Sequence, residues 1–157
     1  MTAPRLLVVL LLAVSLVATA CGGIGGPSPE EYSDAVVLNR NRVDFVLGRI
    51  TRADSVDELL TRMDEAAIVI SKASEELDKM GAPDEFQPEA DDLVKWLDQL
   101  AVDVQATADQ ARIPGFEGLL TETNAISFDS WDKVNKALAG LAGKGIPVSI
   151  LQRYSNT

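Results

Sequence analysis

Between residues 56 and 80 the apolar positions Val56, Leu59, Met63, Ala66, Ile70, Ala73, Leu77 and Met80 follow one another in alternating steps of three and four. That alternation places every one of them on a single seam of an α-helix. It places them on no face of a strand, whose side chains repeat every two residues. The resulting helix is about 36 Å long and apolar along one whole edge. Such an edge is stable only when helices of similar length cover it, so the feature selects a helical bundle.

The rest of the chain supplies the partners. Ser28-Pro29-Glu30-Glu31 is a helix start, with serine as N-cap, proline in the first turn and glutamate three residues on. It predicts a first helix from Pro29 to Arg52, with Tyr32, Val36, Val43, Val46, Leu47 and Ile50 inward. Ser55-Val-Asp-Glu58 repeats the pattern and opens the second helix, and Gly81 stands at its C-terminal cap position. A third helix starts near Pro88, with Leu93, Leu97, Leu100, Val104, Thr107 and Ala111 in steps of four and three. Trp96 flanks that stripe, and Ile113-Pro-Gly115 ends it.

The fourth region is less regular. Phe116, Leu119, Leu120 and Thr123 make one helical piece; Trp131, Val134, Leu138 and Leu141 make another. The phase slips between Asn124 and Ser130, which predicts a kink or break. Gly143-Lys-Gly145 closes the helix, and Ile146-Pro-Val-Ser-Ile-Leu151 is too apolar to float free. It is expected to dock on the bundle as a short helix with Val148, Leu151 and Tyr154 inward. Short turns make neighbouring helices antiparallel. The expected fold is all-α, an up-down-up-down four-helix bundle with a kinked or broken fourth helix and a docked C-terminal tail. Acid-to-base pairs four residues apart, Glu58–Arg62, Glu75–Lys79, Asp91–Lys95, Asp129–Lys133 and Asp132–Lys136, suit its exposed faces.

Residues 1–20 fall outside that fold. Arg5 precedes an apolar run from Leu6 to Val17, and Ala18-Thr-Ala20 then leads to Cys21, the single cysteine of the chain. This is the layout of an export signal, shorter than the roughly 20 apolar residues of a membrane span. Ala18-Thr-Ala20 fits an ordinary cleavage site. Small-small-Cys also fits a lipobox, although Ala18 stands where leucine is commonest. Gly22-Gly-Ile-Gly-Gly-Pro-Ser-Pro29 reads as a flexible tether. The domain plan is thus 1–20 signal peptide, 21–28 lipidated cysteine and tether, and 29–157 helical bundle.

The segment Ala18–Cys21, the glycine-rich tether and the acidic helical body resemble small secreted lipoproteins of high-GC Gram-positive, actinobacterial-type bacteria. The stretch Leu77-Asp-Lys-Met-Gly-Ala-Pro-Asp-Glu-Phe86, followed by Pro88 and Leu93, resembles helix–turn–helix hairpins of such exported proteins. The resemblance implies a lipid on Cys21 and a place on the outer face of the cell membrane. It covers under a fifth of the chain in its specific part and implies no activity.

Composition narrows the function. Without the signal peptide, 13 basic residues face 24 acidic ones, a net charge of −11. That balance excludes a basic footprint for nucleic acid and disfavours adhesion to anionic lipid. Histidine is absent, which removes the commonest general base and metal ligand. Only oxygen-ligated calcium or magnesium stays open. The acids Asp84, Glu85, Glu89, Asp91 and Asp92 do not have the spacing of a calcium loop, and they suit a helix N-terminus. Ser130-Trp-Asp-Lys133 matches S-x-x-K without the partner elements of the serine enzymes that use it. Gly140-Leu-Ala-Gly-Lys-Gly145 lacks the first glycine and the Ser or Thr of a phosphate loop, and it ends a helix instead of opening one. No cofactor and no catalytic residue is expected.

The leading expectation is a non-enzymatic, membrane-anchored interaction module that meets a protein of the cell envelope. The alternative is a carrier or sensor that holds a small amphipathic or cationic ligand within the bundle. Asn39, Trp96, Phe128 and Trp131 are the candidate ligand or partner surface, and Cys21 is the candidate lipid attachment site. An apolar pocket of roughly 300 Å³ or more would favour the carrier. A packed centre with an exposed apolar patch would favour the module.

Overall fold

The computed structural model describes residues 26–115 and 128–152. Among the described residues there are four α-helices and no strand: α1 (Pro29–Ile50), α2 (Val56–Met80), α3 (Gln87–Ala111) and α4 (Asp129–Gly143). They pack as an all-α four-helix bundle. The expected piece around Phe116–Thr123 and the predicted break before Ser130 lie outside the described residues, as do Cys21 and Tyr154.

Local chemistry explains where the helices begin and end. At α1 the Ser28 hydroxyl accepts the Glu31 amide at 3.2 Å, and the Glu31 carboxylate accepts the Ser28 amide at 2.8 Å, a complete capping box. At α2 the Ser55 hydroxyl accepts the Glu58 amide at 3.2 Å. The Glu58 carboxylate reaches one residue further back, to the Asp54 amide at 2.9 Å. Gly81 ends α2 at φ +70°, a backbone conformation that glycine adopts without steric cost. Short loops then return the chain between α1 and α2 and between α2 and α3.

The register follows from cross-helix pairs. Arg42 meets Glu76 at 2.9 Å and Arg49 meets Glu65 at 3.0 Å, so α1 and α2 are antiparallel. Arg112 pairs with Asp64 at 2.5 Å while the Ser74 hydroxyl donates to the Val94 carbonyl, so α2 and α3 are antiparallel. Ser130 donates to Asp103 at 2.5 Å and Lys144 pairs with Glu89 at 2.5 Å, which sets α3 against α4. Of the acid-to-base pairs read within helices, Glu58–Arg62 and Glu75–Lys79 form.

The apolar stripes meet in the middle. All six positions expected from α1 are buried, as are Met63, Ala66, Ile70, Ala73 and Leu77 of α2. The seam of α2 lifts off at its ends: Val56 and Leu59 are half-buried and Met80 is exposed. In α3 the buried position is Ala108, while the predicted Thr107 turns half outward and donates to the Asp103 carbonyl. Side chains of all four helices and Leu151 surround a gap of about 10 Å³, room for one water at most.

The tail docks, but not as a helix. Residues 146–152 form no regular secondary structure, with Ile146, Val148 and Leu151 buried. Pro147 lacks the amide that a helix would use, and the Val148 amide bonds instead to the Ile146 carbonyl at 2.8 Å. α1 packs on α2, α2 on α3 and α3 on α4. The remaining seam, between α1 and α4, is closed by this strap.

Candidate functional site

The four residues singled out from the sequence sit on α1, on α3 and at the start of α4. Asn39 is buried on α1, where its side-chain oxygen accepts from Arg42 at 3.4 Å. Trp131 is buried at the start of α4, and its ring nitrogen has no partner among the described residues. Phe128 is half-buried at the N-cap of α4. Trp96 is half-buried on α3, with the Lys95 and Lys133 ammonium groups 4.8 and 5.7 Å from its ring centre. Lys133 comes from α4, so its cation–π attraction to Trp96 joins α4 to α3, whereas Lys95 lies on α3 itself. None of the four lines the central gap or the surface groove described next.

That groove lies between α2 and α3. It is a shallow hollow open to solvent, with a volume of about 380 Å³ beside Ala67, Ser71 and Ala101. Ile68 and Val102 stand on its sides with 55% and 54% of their surface exposed. Lys72, Glu75, Asp98 and Gln105 form a polar rim. The small floor residues open the hollow, because neither alanine nor serine fills the space that a leucine would. Sequence reasoning missed this site because Ile68 and Val102 are off the buried stripes. An apolar residue off the stripe is itself the signal that would have found it. Leu38 and Phe45 repeat that signal on the outer face of α1, and Phe45 is 66% exposed.

The electrostatics are those of a held scaffold. Hydrogen bonds from the Ser28 amide and hydroxyl keep Glu31 below the usual carboxylate range. The Asp54 amide and the neighbouring Arg62 do the same for Glu58, and Lys144 does so for Glu89. Burial, with a contribution from Asp91, pushes the Tyr32 hydroxyl up to about 12. Each shift is explained by capping, pairing or packing, and none of these groups lines the α2–α3 groove.

Among the described residues no three His, Cys, Asp or Glu side chains are gathered as a metal site. No helix there is long and apolar enough to cross a membrane. Comparison with known protein families, curated proteins and solved structures finds no match to this chain.

Proposed function

We propose that this protein is a non-enzymatic interaction module of the cell envelope, anchored by a lipid on Cys21, that meets a partner protein through the α2–α3 groove. One observation carries the reading: the groove of about 380 Å³ with Ile68 and Val102 exposed on its sides, set against a bundle centre with a gap of about 10 Å³. Exposed apolar side chains on a polar-rimmed groove are what a partner surface covers. That none of Asn39, Trp96, Phe128 and Trp131 lines the central gap adds support. The tether joins the bundle at the start of α1. Ile68 then lies about 18 Å along α2 from the end where the tether enters.

The test is crosslinking in intact cells that export the protein, followed by mass spectrometry. Wild type is expected to capture a specific protein neighbour. Ile68→Asp and Val102→Asp are expected to lose it while keeping the helical circular dichroism of wild type. Cys21→Ser is expected to leave the membrane fraction or to remain uncleaved. A neighbour retained by both groove variants would overturn the groove. Membrane retention of a correctly cleaved, unacylated Cys21→Ser product would overturn the anchor. A small molecule carried through mild purification, with no protein neighbour, would move the protein to the carrier class.

A further inference from the structure

One edge of α1 faces away from the bundle. Glu31, Asp34, Leu38, Asn41, Phe45, Arg49 and Arg52 follow one another in steps of three and four, which keeps them on a single side of the helix. Arg52 comes after the cap Thr51, whose backbone still has helical angles. Six of the seven are exposed and Arg49 is half-buried. Leu38 and Phe45 show 50% and 66% of their surface. α1 meets α2 through Arg42 and Arg49, and it meets the strap through Arg40 and Asp44. The two exposed apolar side chains lie between those contacts and belong to neither.

The order of chemistry along the edge says what covers it. From the N-terminal end it reads acid, acid, apolar, amide, apolar, base, base. Turned end for end, it reads base, base, apolar, amide, apolar, acid, acid. An antiparallel copy therefore sets Glu31 opposite Arg52, Asp34 opposite Arg49 and Leu38 opposite Phe45. All three pairings centre between Asn41 and Arg42, and each occurs twice about a two-fold axis, as a self-complementary contact requires. A parallel copy would set every charge against its like. Asp34 and Arg52 make no ion pair among the described residues. Glu31 caps the helix through one carboxylate oxygen and keeps the other. Arg49 holds Glu65 at 3.0 Å, and a guanidinium has donors for a second carboxylate. Arg42, beside the axis, is neutralised by Glu76 at 2.9 Å. Two chains of net charge −10 repel in most orientations, whereas this edge balances two acids against two bases.

We infer that this edge of α1 is a homodimer face. A second copy of the chain packs on it antiparallel, with Leu38 against Phe45 and the acids of one copy against the arginines of the other. The two apolar layers lie about 5 Å to either side of the axis, and the charged pairs flank them further out. The apolar centre supplies the burial, and the charged rim sets the partner and its direction. The contact does not rest on the lipid anchor, and none of its residues lines the α2–α3 groove.

The test is disulfide mapping between copies. Each variant is made in the full chain carrying Cys21→Ser, so that the introduced cysteine is the only one and no outcome depends on the lipid. Asn41→Cys sits beside the axis. It is expected to give a disulfide-linked dimer under mild oxidation, about tenfold above Lys72→Cys on the α2–α3 groove. Differently tagged Asp34→Cys and Arg49→Cys copies are expected to link to each other. Neither is expected to link to its own kind, because like positions lie about 22 Å apart along the axis. Adding Phe45→Asp to Asn41→Cys is expected to cut the dimer about tenfold. Phe45 is exposed, so this variant is expected to keep the helical circular dichroism of wild type. A yield at Asn41→Cys no higher than at Lys72→Cys would overturn the inference. So would Asp34→Cys linking to itself, a mixed Asp34→Cys and Arg49→Cys pair that does not link, a dimer indifferent to Phe45→Asp, or capture of a different protein at Asn41→Cys.

Discussion

The Asn135 carboxamide satisfies both main-chain groups of Leu151, accepting its amide at 2.7 Å and donating to its carbonyl at 3.3 Å. Leu151 is buried and lines the central gap together with side chains of all four helices, so this amide helps seat it in the core. Asn135→Ala leaves a part-buried amide and carbonyl without partners. It is expected to destabilise the fold by about 2 kcal/mol, the scale set by unsatisfied buried groups. Urea denaturation measures it as a lower midpoint with an unchanged slope.

Tyr32 gives a change of opposite sign. Its ring stacks on Phe86 at 5.9 Å, but its buried hydroxyl has no hydrogen-bond partner among the described residues. Tyr32→Phe keeps the stacking and removes the stranded oxygen, so it is expected to stabilise by about 1 kcal/mol at neutral pH. The hydroxyl titrates at about 12 when folded, against 10.0 ordinarily. A raised value means that the unfolded chain ionises first. Wild type therefore loses stability as pH rises from about 10 towards 12, and Tyr32→Phe loses less, because the loss of paired lysine charge is common to both. Thermal melts at pH 8, 10 and 11.5 check both statements.

Much of this fold was legible because its signals are local and periodic. The seven-residue rhythm of α2, the caps at Ser28, Ser55 and Gly81, and the buried stripes of α1 and α4 follow from spacing alone. The strap was half legible. The apolar character of Ile146–Leu151 says that it must dock, but its shape depends on Pro147 and on partners, Arg40 and Asp44, that lie far away in sequence. The groove was not legible as a site. Ile68 and Val102 become neighbours only once α2 and α3 are in register, and their separate positions do not announce that. Aromatic residues drew attention on chemical grounds, yet Trp131 is packing and Trp96 is a seat for two lysines.

Acid should loosen the helix starts and the α3–α4 seam together. Glu31, Glu58 and Glu89 all titrate below the ordinary 4.5, held down chiefly by the Ser28 amide, the Asp54 amide and Lys144. For a lowered carboxylate the stabilisation is present above the unfolded value and is lost as pH falls through the folded one. The melting temperature is thus expected to drop below about pH 4.5. Glu58→Gln should be less stable than wild type at pH 7, with the difference shrinking as pH falls below 4.5 and Glu58 takes up its proton. A difference that does not change with pH would place the role of Glu58 in packing instead of charge.

At Gly140 of α4 the backbone leaves little room beside Glu89 of α3. A Cβ at that position would lie 2.8 Å from Glu89 Cγ, the carbon that carries the carboxylate paired with Lys144. Alanine in a helix interior is ordinarily better than glycine by about 1 kcal/mol. Here the added carbon must push Glu89 off its position, and Gly140→Ala is expected to destabilise by about 1 kcal/mol. Glu89→Ala removes the obstructing carbon and leaves the nearest remaining one 3.8 Å away, an ordinary contact. In that background Gly140→Ala is expected to change sign and stabilise by about 1 kcal/mol. A double-mutant cycle by urea denaturation reads the reversal as a coupling of about 2 kcal/mol between the two positions. Additive effects would mean that the helices separate freely at this point, and that the α3–α4 seam is set by Ser130 and Asp103 instead.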